Sequence, residues 1–410
     1  MIQSFSIENF KSFRKATLPL SPLTLLIGAN ASGKSNAIEA IQLLSWLASG
    51  SPLNDLLYDV RAEELFLRGG FNDLVNTGNG FQLGCALTED VDRPPMRFSA
   101  ALEVTGYGLQ IATERVELGA LTIFASDIRD VVITPKNDDY NRFRSISQEL
   151  REQHSEAVTK YPQLVSALSS IFFLDPNPRR MRGYSFIQEK RLKRDGSALS
   201  SVLRQITEEA QSKAQVLEFI RSLPEQDISD ISYLRTPRDE VMVRLHETFG
   251  GTAVPREAAL LSDGTLRVLA VAAALFSIPP GSVLIVEEID NGVHPSRAEK
   301  LLGDIQKIAH ERDLRVLLTT HNPALLDALP LEAVPNTVAC YRDPQEGDSR
   351  LIRLEELESY PELVAQGPLG RLVTKGILDR YLKAPEKRDR ETKVEQGLAW
   401  ISELRRAQSS

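Results

Sequence analysis

Eight consecutive residues, Gly28-Ala29-Asn30-Ala31-Ser32-Gly33-Lys34-Ser35, fit the pattern GxxxxGKS with nothing missing. Glycines in such a run let the backbone curl until its N–H groups converge on an anion. Lys34 supplies a cation for the β- and γ-phosphates of a nucleotide, and the Ser35 hydroxyl supplies an oxygen for Mg²⁺. The local context is the one this chemistry needs. An apolar run, Leu23-Thr24-Leu25-Leu26-Ile27, precedes the loop, and Ala37, Ile38, Ile41, Leu44 and Leu47 follow at near-helical spacing. A strand, a loop and the positive end of a helix are therefore expected, with Asn30, Ala31, Ser32, Gly33, Lys34, Ser35 and Asn36 around the phosphates. An accidental glycine turn would not come with both neighbours.

A second site of chemistry is Val283-Leu284-Ile285-Val286-Glu287-Glu288. Here a buried strand ends in two carboxylates, at the end of the strand where open α/β sheets bind ligands. Paired acids in a low dielectric repel, so a cation must lie nearby. Mg²⁺ on Ser35 is the cation expected. Glu287 then belongs to the metal's surroundings, directly or through water, and Glu288 is placed to polarise an attacking water.

These residues need a frame to hold them. Thr265 to Ser277 reads as an apolar helix, 283–286 as a buried strand, 296–312 as a helix with Pro295 near its first turn, and 315–319 as another buried strand. That alternation implies parallel strands covered by helices. Residues 81–126 alternate with β-favouring character and read as an antiparallel meander. Residues 141–170 and 197–223 read as helical, and the tail from Ala384 as a charged helix or linker. The expected division is 1–80 and 256–383 as the two halves of the head that carries the phosphate loop and the acid pair, 81–130 as its β-rich part, 131–255 as a helical insertion lobe, and 384–410 as the tail.

Composition narrows the classes. The 410 residues are 42% hydrophobic and 25% charged, ordinary for a globular chain of two or three structural units. Lys+Arg 48 against Asp+Glu 56 leaves a net charge of −8, so any nucleic-acid contact must come from a local patch. The two cysteines, Cys85 and Cys340, form no CxxC and suit a reducing compartment, so a cytoplasmic location is expected. No stretch has the apolar length of a membrane span, and no membrane partner is expected.

The motifs in this order resemble the ABC-type ATPases of the RecF/SMC and OLD-like AAA group, in the form of a stand-alone ATPase without a TOPRIM domain. Ile7-Glu8-Asn9-Phe10-Lys11-Ser12-Phe13 is similar to that group's first strand, and Leu261-Ser262-Asp263-Gly264-Thr265 to the ABC signature. Glu287-Glu288-Ile289-Asp290-Asn291-Gly292-Val293-His294-Pro295 resembles Walker B and the D-loop, with Glu287 where Asp is usual. Thr319-Thr320-His321-Asn322-Pro323 resembles the switch histidine. Asp195-Gly196-Ser197-Ala198-Leu199 and residues 367–379 also look like segments of these ATPases.

The resemblance implies an α/β P-loop NTPase with an ABC-type head: a mixed β-sheet flanked by helices, with an inserted β-meander and a helical lobe. It implies ATP and Mg²⁺ as cofactors, His321 on the γ-phosphate, and catalysis by Lys34, Glu288 and His321. Ser262, Asp263 and Gly264 would face an ATP held by a second copy, so a homodimer or higher homo-oligomer is implied. Asp263 stands where glycine is common, and an acid beside a triphosphate must turn outward or pair with a base. His294 reads equally as a D-loop structural residue and as a subunit contact.

The output of such a switch is read from what the chain lacks. Ser35 and Leu261 are 226 residues apart, far more than in transporter cassettes, and there is no clear glutamine loop. The 89 residues after His321 carry no acidic cluster of the nuclease kind. An ATP-gated dimerisation switch controlling a separate effector, a nuclease or toxin, in bacterial antiphage defence is the leading expectation. The alternative is a RecF-like ATPase that binds DNA in repair or maintenance. For it speaks a basic run, Arg179, Arg180, Arg182, Lys190, Arg191, Lys193 and Arg194, interleaved with Tyr184 and Phe186. Such a run could track phosphates and stack bases, or form a solvated face or a partner surface.

Overall fold

The computed structural model describes residues 1–48, 53, 56, 67–88, 94–106, 108–127, 161–221, 227–290 and 295–383. The chain opens with β1 (Ile2–Phe10), β2 (Phe13–Pro19), β3 (Leu23–Ile27) and α1 (Lys34–Ala48). A run of strands follows: β4 (Gly80–Leu87), β5 (Met96–Thr105), β6 (Gly108–Leu118) and β7 (Leu121–Asp127). Next come α2 (Pro162–Ser169), β8 (Ile171–Leu174), α3 (Pro178–Met181), β9 (Ser185–Phe186), α4 (Leu199–Ile206) and α5 (Ala210–Ile220). Then β10 (Ile228–Arg235), β11 (Glu240–Phe249), β12 (Thr252–Glu257), α6 (Asp263–Ser277), β13 (Val283–Val286), α7 (Pro295–Glu311), β14 (Arg315–Thr320) and α8 (Pro323–Asp327). The described part ends with β15 (Val338–Arg342), β16 (Ser349–Arg353), α9 (Tyr360–Ala365), α10 (Leu369–Thr374) and α11 (Ile377–Leu382).

The described strands form three sheets. The central one has the order β16-β15-β3-β14-β13-β8, with β15, β3, β14, β13 and β8 parallel and β16 antiparallel at the edge. Strands β3 and β13 are buried along their whole length, and β14 is buried after Arg315, because both faces are covered. The pleat sends alternate side chains to different cores. Leu23, Leu25 and Ile27 join α4–α7 on one face. Leu26, Val283, Ile285 and Leu317 join α1 and the second sheet on the other. That second sheet is antiparallel, β2-β1-β4-β5-β6-β7, and includes the expected meander. Helix α1 lies between the two sheets, which is why it buries residues all round, Glu39 and Gln42 included.

The third sheet, β10-β11-β12 with β9 on β11, differs from the sequence expectation. The region 131–255 was expected to be helical. Its described part holds α2, α4 and α5, but also β8 of the central sheet and this small antiparallel sheet. Two physical reasons apply. The run forming β8 is four apolar residues that follow α2 after Ser170 alone, with no glycine or proline such as marks the start of β13, so it reads as the end of the helix. Strand β10 buries only Ile228 and Ile231, a weak alternation, and is fixed by pairing with β11 across a turn in which Asp239 takes φ 59°. Residues 131–160 and the tail 384–410 lie outside the described residues.

Candidate nucleotide site

The phosphate loop leaves the carboxyl end of β3 and enters α1. Gly28, Ala31 and Gly33 have φ of 152°, 63° and 120°. A methyl group at Gly28 would run into the carbonyl oxygen of Cys340, and one at Gly33 would lie 2.5 Å from the Ser349 hydroxyl. Both positions thus demand glycine twice over, by backbone angle and by space. The loop is also held from outside. Ser349 Oγ donates to the Ser32 carbonyl at 2.5 Å and accepts from the Ser12 hydroxyl at 2.7 Å, and Asn36 Nδ2 donates to Ser12 Oγ at 2.8 Å. Cys340 Sγ donates to the Ser32 carbonyl at 3.3 Å, and Arg342 Nε to the Ala31 carbonyl at 3.2 Å. The β15–β16 hairpin and the β1–β2 turn therefore set the curl.

Lys34 folds back on the loop, donating to the carbonyls of Gly28 at 2.5 Å and Ala29 at 3.1 Å. Burial pushes its amine below the ordinary lysine range, while Cys340, Glu288 and Asp290 pull the other way. The buried Ser32 hydroxyl has no hydrogen-bond partner, which fits a loop that accommodates phosphate oxygens.

Across the cleft, β13 ends at Val286. The Glu287 N–H donates to the Leu174 carbonyl at 3.2 Å, and Glu288 then takes φ 49°, its N–H donating to Thr319 Oγ1 at 2.9 Å. This left-handed step separates the two acids. Glu288 is exposed, and Glu287 is partly buried 3.4 Å from Arg194 Nη2. Burial raises the Glu287 carboxyl above its ordinary range, and Arg194 opposes that. His321 follows β14, exposed, with Nδ1 3.8 Å from Asp290 Oδ2.

A cleft of about 440 Å³ brings together residues 30–36, Glu287, Glu288 and His321, a volume in the range of small-ligand sites. The Ser35 hydroxyl and the Glu287 carboxylate are hard oxygen donors, the kind Mg²⁺ takes alongside phosphates. Lys11, Arg68 and Arg342 also line the cleft. Sequence reasoning missed them, although Lys11 stands inside the first-strand motif. Ser262, Asp263 and Gly264 lie outside this cleft, at the start of α6. Ser262 is the exposed N-cap, accepting from the Thr265 N–H at 3.1 Å.

Two members of the basic run, Arg182 and Arg194, are half-buried against acids, while the other five are exposed. Arg182 bonds Asp263 at 2.7 Å, Arg194 pairs with Glu287, Lys193 lies 3.0 Å from Glu189, and Arg180 lies 4.0 Å from Asp195. Arg179, Lys190 and Arg191 are exposed. His294 lies outside the described residues. Among the described residues, no cluster of three or more His, Cys, Asp or Glu side chains could hold a metal by itself, and no helix is long and apolar enough to cross a membrane.

The family described as "AAA domain, putative AbiEii toxin, Type IV TA system" matches residues 23–327. The chain is 41% identical over 64 residues to the DNA replication and repair protein RecF of Gloeobacter violaceus, which is 15% of this chain and 17% of that protein. It is 28% identical over 110 residues to the energy-coupling factor transporter ATP-binding protein EcfA1 of Enterococcus faecalis, 26% of this chain and 39% of that protein. The chain thus spans well under half the length of either curated relative. Similar solved structures include an Smc head domain with an extended coiled coil bound to the C-terminal domain of ScpA derived from Pyrococcus furiosus (14% identity, 89% of this chain, 99% of that one, TM-score 0.48). Another is the SMC head domain from Thermotoga maritima (13% identity, 86% and 98%, TM-score 0.43).

Proposed function

Since the chain belongs to this family of ABC-type AAA ATPases, its model matching residues 23–327, we propose that it is a Mg²⁺-dependent ATPase that works as an ATP-gated dimerisation switch. In this reading the N–H groups of residues 30–36 and the Lys34 amine hold the β- and γ-phosphates, and Ser35 and Glu287 hold Mg²⁺. Glu288 orients the attacking water, and His321 reads the γ-phosphate. Ser262 and the Gly264 N–H close on the ATP of a second copy.

One observation carries the reading. Lys11 of the first-strand motif, the loop residues 30–36, Glu287, Glu288 and His321 line one cleft, while the exposed Ser262 N-cap of α6 does not. A signature outside its own chain's cleft is useful when a second chain brings the nucleotide to it. Moving such a dimer from 1:99 to 99:1 takes about 5.5 kcal/mol of preference for the closed form, which two triphosphates gripped from both chains can supply. Loss of the γ-phosphate would remove that grip.

For the output, we propose control of a separate effector protein, a nuclease or toxin, in antiphage defence. The family's description, which joins the AAA domain to a toxin system, supports this. The DNA-binding alternative loses part of its footing, because Arg182 and Arg194 are turned onto acids of the nucleotide machinery.

The test is Glu288→Gln, which keeps the charge-assisted grip on nucleotide and removes the base. With Mg²⁺ and ATP this variant should run as a dimer in light-scattering chromatography, and with ADP as a monomer. Monomers under both conditions would refute the switch. Undiminished turnover would show that another residue orients the water.

A further inference from the structure

Asp263 poses a problem for the dimer reading. It stands in the first turn of α6, where an acid is favourable to the helix. Yet the same N–H groups are those offered to a phosphate, and the Asp263 side chain is 66% exposed toward whatever approaches. The structure supplies a partner. Arg182 Nη2 donates to Asp263 Oδ1 at 2.7 Å and to the Leu261 carbonyl at 3.0 Å. One guanidinium thus holds both the acid of the signature and the residue that leads into its N-cap.

We infer that Arg182 is a positioning residue of the signature: it cancels the Asp263 carboxylate and fixes the turn that presents Ser262 and Gly264 to a triphosphate on a second copy. This rests on the dimer reading above. Arg182 is itself held in place. It follows α3, whose start is capped by the Asn177 side chain accepting from the Arg179 N–H at 3.1 Å. The Asn177 N–H donates to the Asp195 carbonyl at 2.8 Å, and Asp195 Oδ1 accepts from the Ser197 N–H at 2.8 Å. Gly196, at φ 81°, leaves the space that Met181 Sδ fills, 2.5 Å from where a Cβ would stand. The Asp195-Gly196-Ser197 turn therefore clamps α3, and α3 aims Arg182. A lysine would bring a point charge on a shorter arm, without the planar Nη2 amino group whose two hydrogens serve the carboxylate and the carbonyl.

The test is a suppression series in the Glu288→Gln background with Mg²⁺ and ATP. The readout is the protein concentration at half-dimerisation. Arg182→Ala should raise it at least tenfold, because an uncompensated acid then meets the triphosphate. Adding Asp263→Asn should return it to within about threefold of the parent, since no acid remains to be cancelled. Arg182→Lys should fall between. A folding defect is told apart by calorimetry: Arg182→Ala should melt within about 1 °C of its parent, the Asp263 end of the pair being exposed, while its half-dimerisation concentration rises. If Arg182→Ala dimerises like its parent, or if Asp263→Asn leaves the defect untouched, the assignment of Arg182 is overturned. If the Glu288→Gln parent itself fails to dimerise, the switch falls, and this inference with it.

Discussion

Lys11→Met should cost more stability than any surface charge change in this chain, and the structure says why. Lys11 Nζ and Glu39 form an ion pair in which the side chains are only 9% and 7% exposed. Lys11 stands in the β1–β2 turn and Glu39 on α1, one turn beyond Lys34, so the pair ties the antiparallel sheet to the helix that carries the phosphate loop. Removing one partner of a buried pair typically costs about 3–5 kcal/mol, because the other charge is stranded. Glu39 keeps Arg68, whose Nε lies 2.6 Å from Oε1, so the lower end applies, about 3 kcal/mol. Unfolding entropy of about 2.1 cal/mol/K per residue, over 410 residues, gives about 0.9 kcal/mol/K. Lys11→Met should therefore lower the melting temperature by about 3–4 °C in calorimetry. The left-handed backbone at Lys11, φ 48°, is no worse for methionine than for lysine, so backbone strain does not blur the result. Lys11→Met/Glu39→Met removes the stranded charge and should recover to within about 1 °C of the parent. A shift under about 1 °C for the single variant, or a double variant no better than the single, would refute the argument.

Two further outcomes test the site and its surroundings. Lys34→Ala should weaken binding of a fluorescent ATP analogue at least a hundredfold, since a charge-assisted contact in a half-buried cleft is lost; unchanged affinity would remove the phosphate-loop assignment. Burial raises the Cys85 thiol to about 12 and the Cys340 thiol to about 11, which favours the neutral form. At pH 8 roughly a thousandth or less of either is thiolate, so neither should react with iodoacetamide in the native protein, and both should react once it is unfolded; labelling of native Cys340, counted by mass spectrometry, would show that the loop opens far more than its hydrogen bonds imply.

What the sequence disclosed divides along physical lines. Residues 28–35, 287–288 and 319–323 stood out because each is a local pattern, an apolar run followed by a turn and a polar residue within about ten positions, and most of them line one cleft. Strands β3, β13 and β14 were legible for the same reason, since burial on both faces leaves apolar runs. Strands β8 and β15 and the β10–β12 sheet were not: β8 follows α2 with no glycine or proline to mark a boundary, β15 mixes apolar and polar residues, and a half-exposed hairpin needs its partner to be recognised. Charges behaved differently again. The run from Arg179 to Arg194 shows where cations are dense along the chain, not which way each side chain leaves it. Arg182 finds its acid 81 residues away and Arg194 finds its acid 93 residues away. Nothing in spacing or periodicity encodes such pairs. The demand was nonetheless visible: an acid in a signature motif requires either an outward turn or a base. The fold answers with a base that is also bonded to the preceding carbonyl, so the side chain that relieves the repulsion is the one that shapes the turn. A substitution that relieves only the charge and one that relieves only the shape should therefore differ, and the separation between Arg182→Ala with Asp263→Asn and Arg182→Lys measures how much of the signature's geometry depends on each.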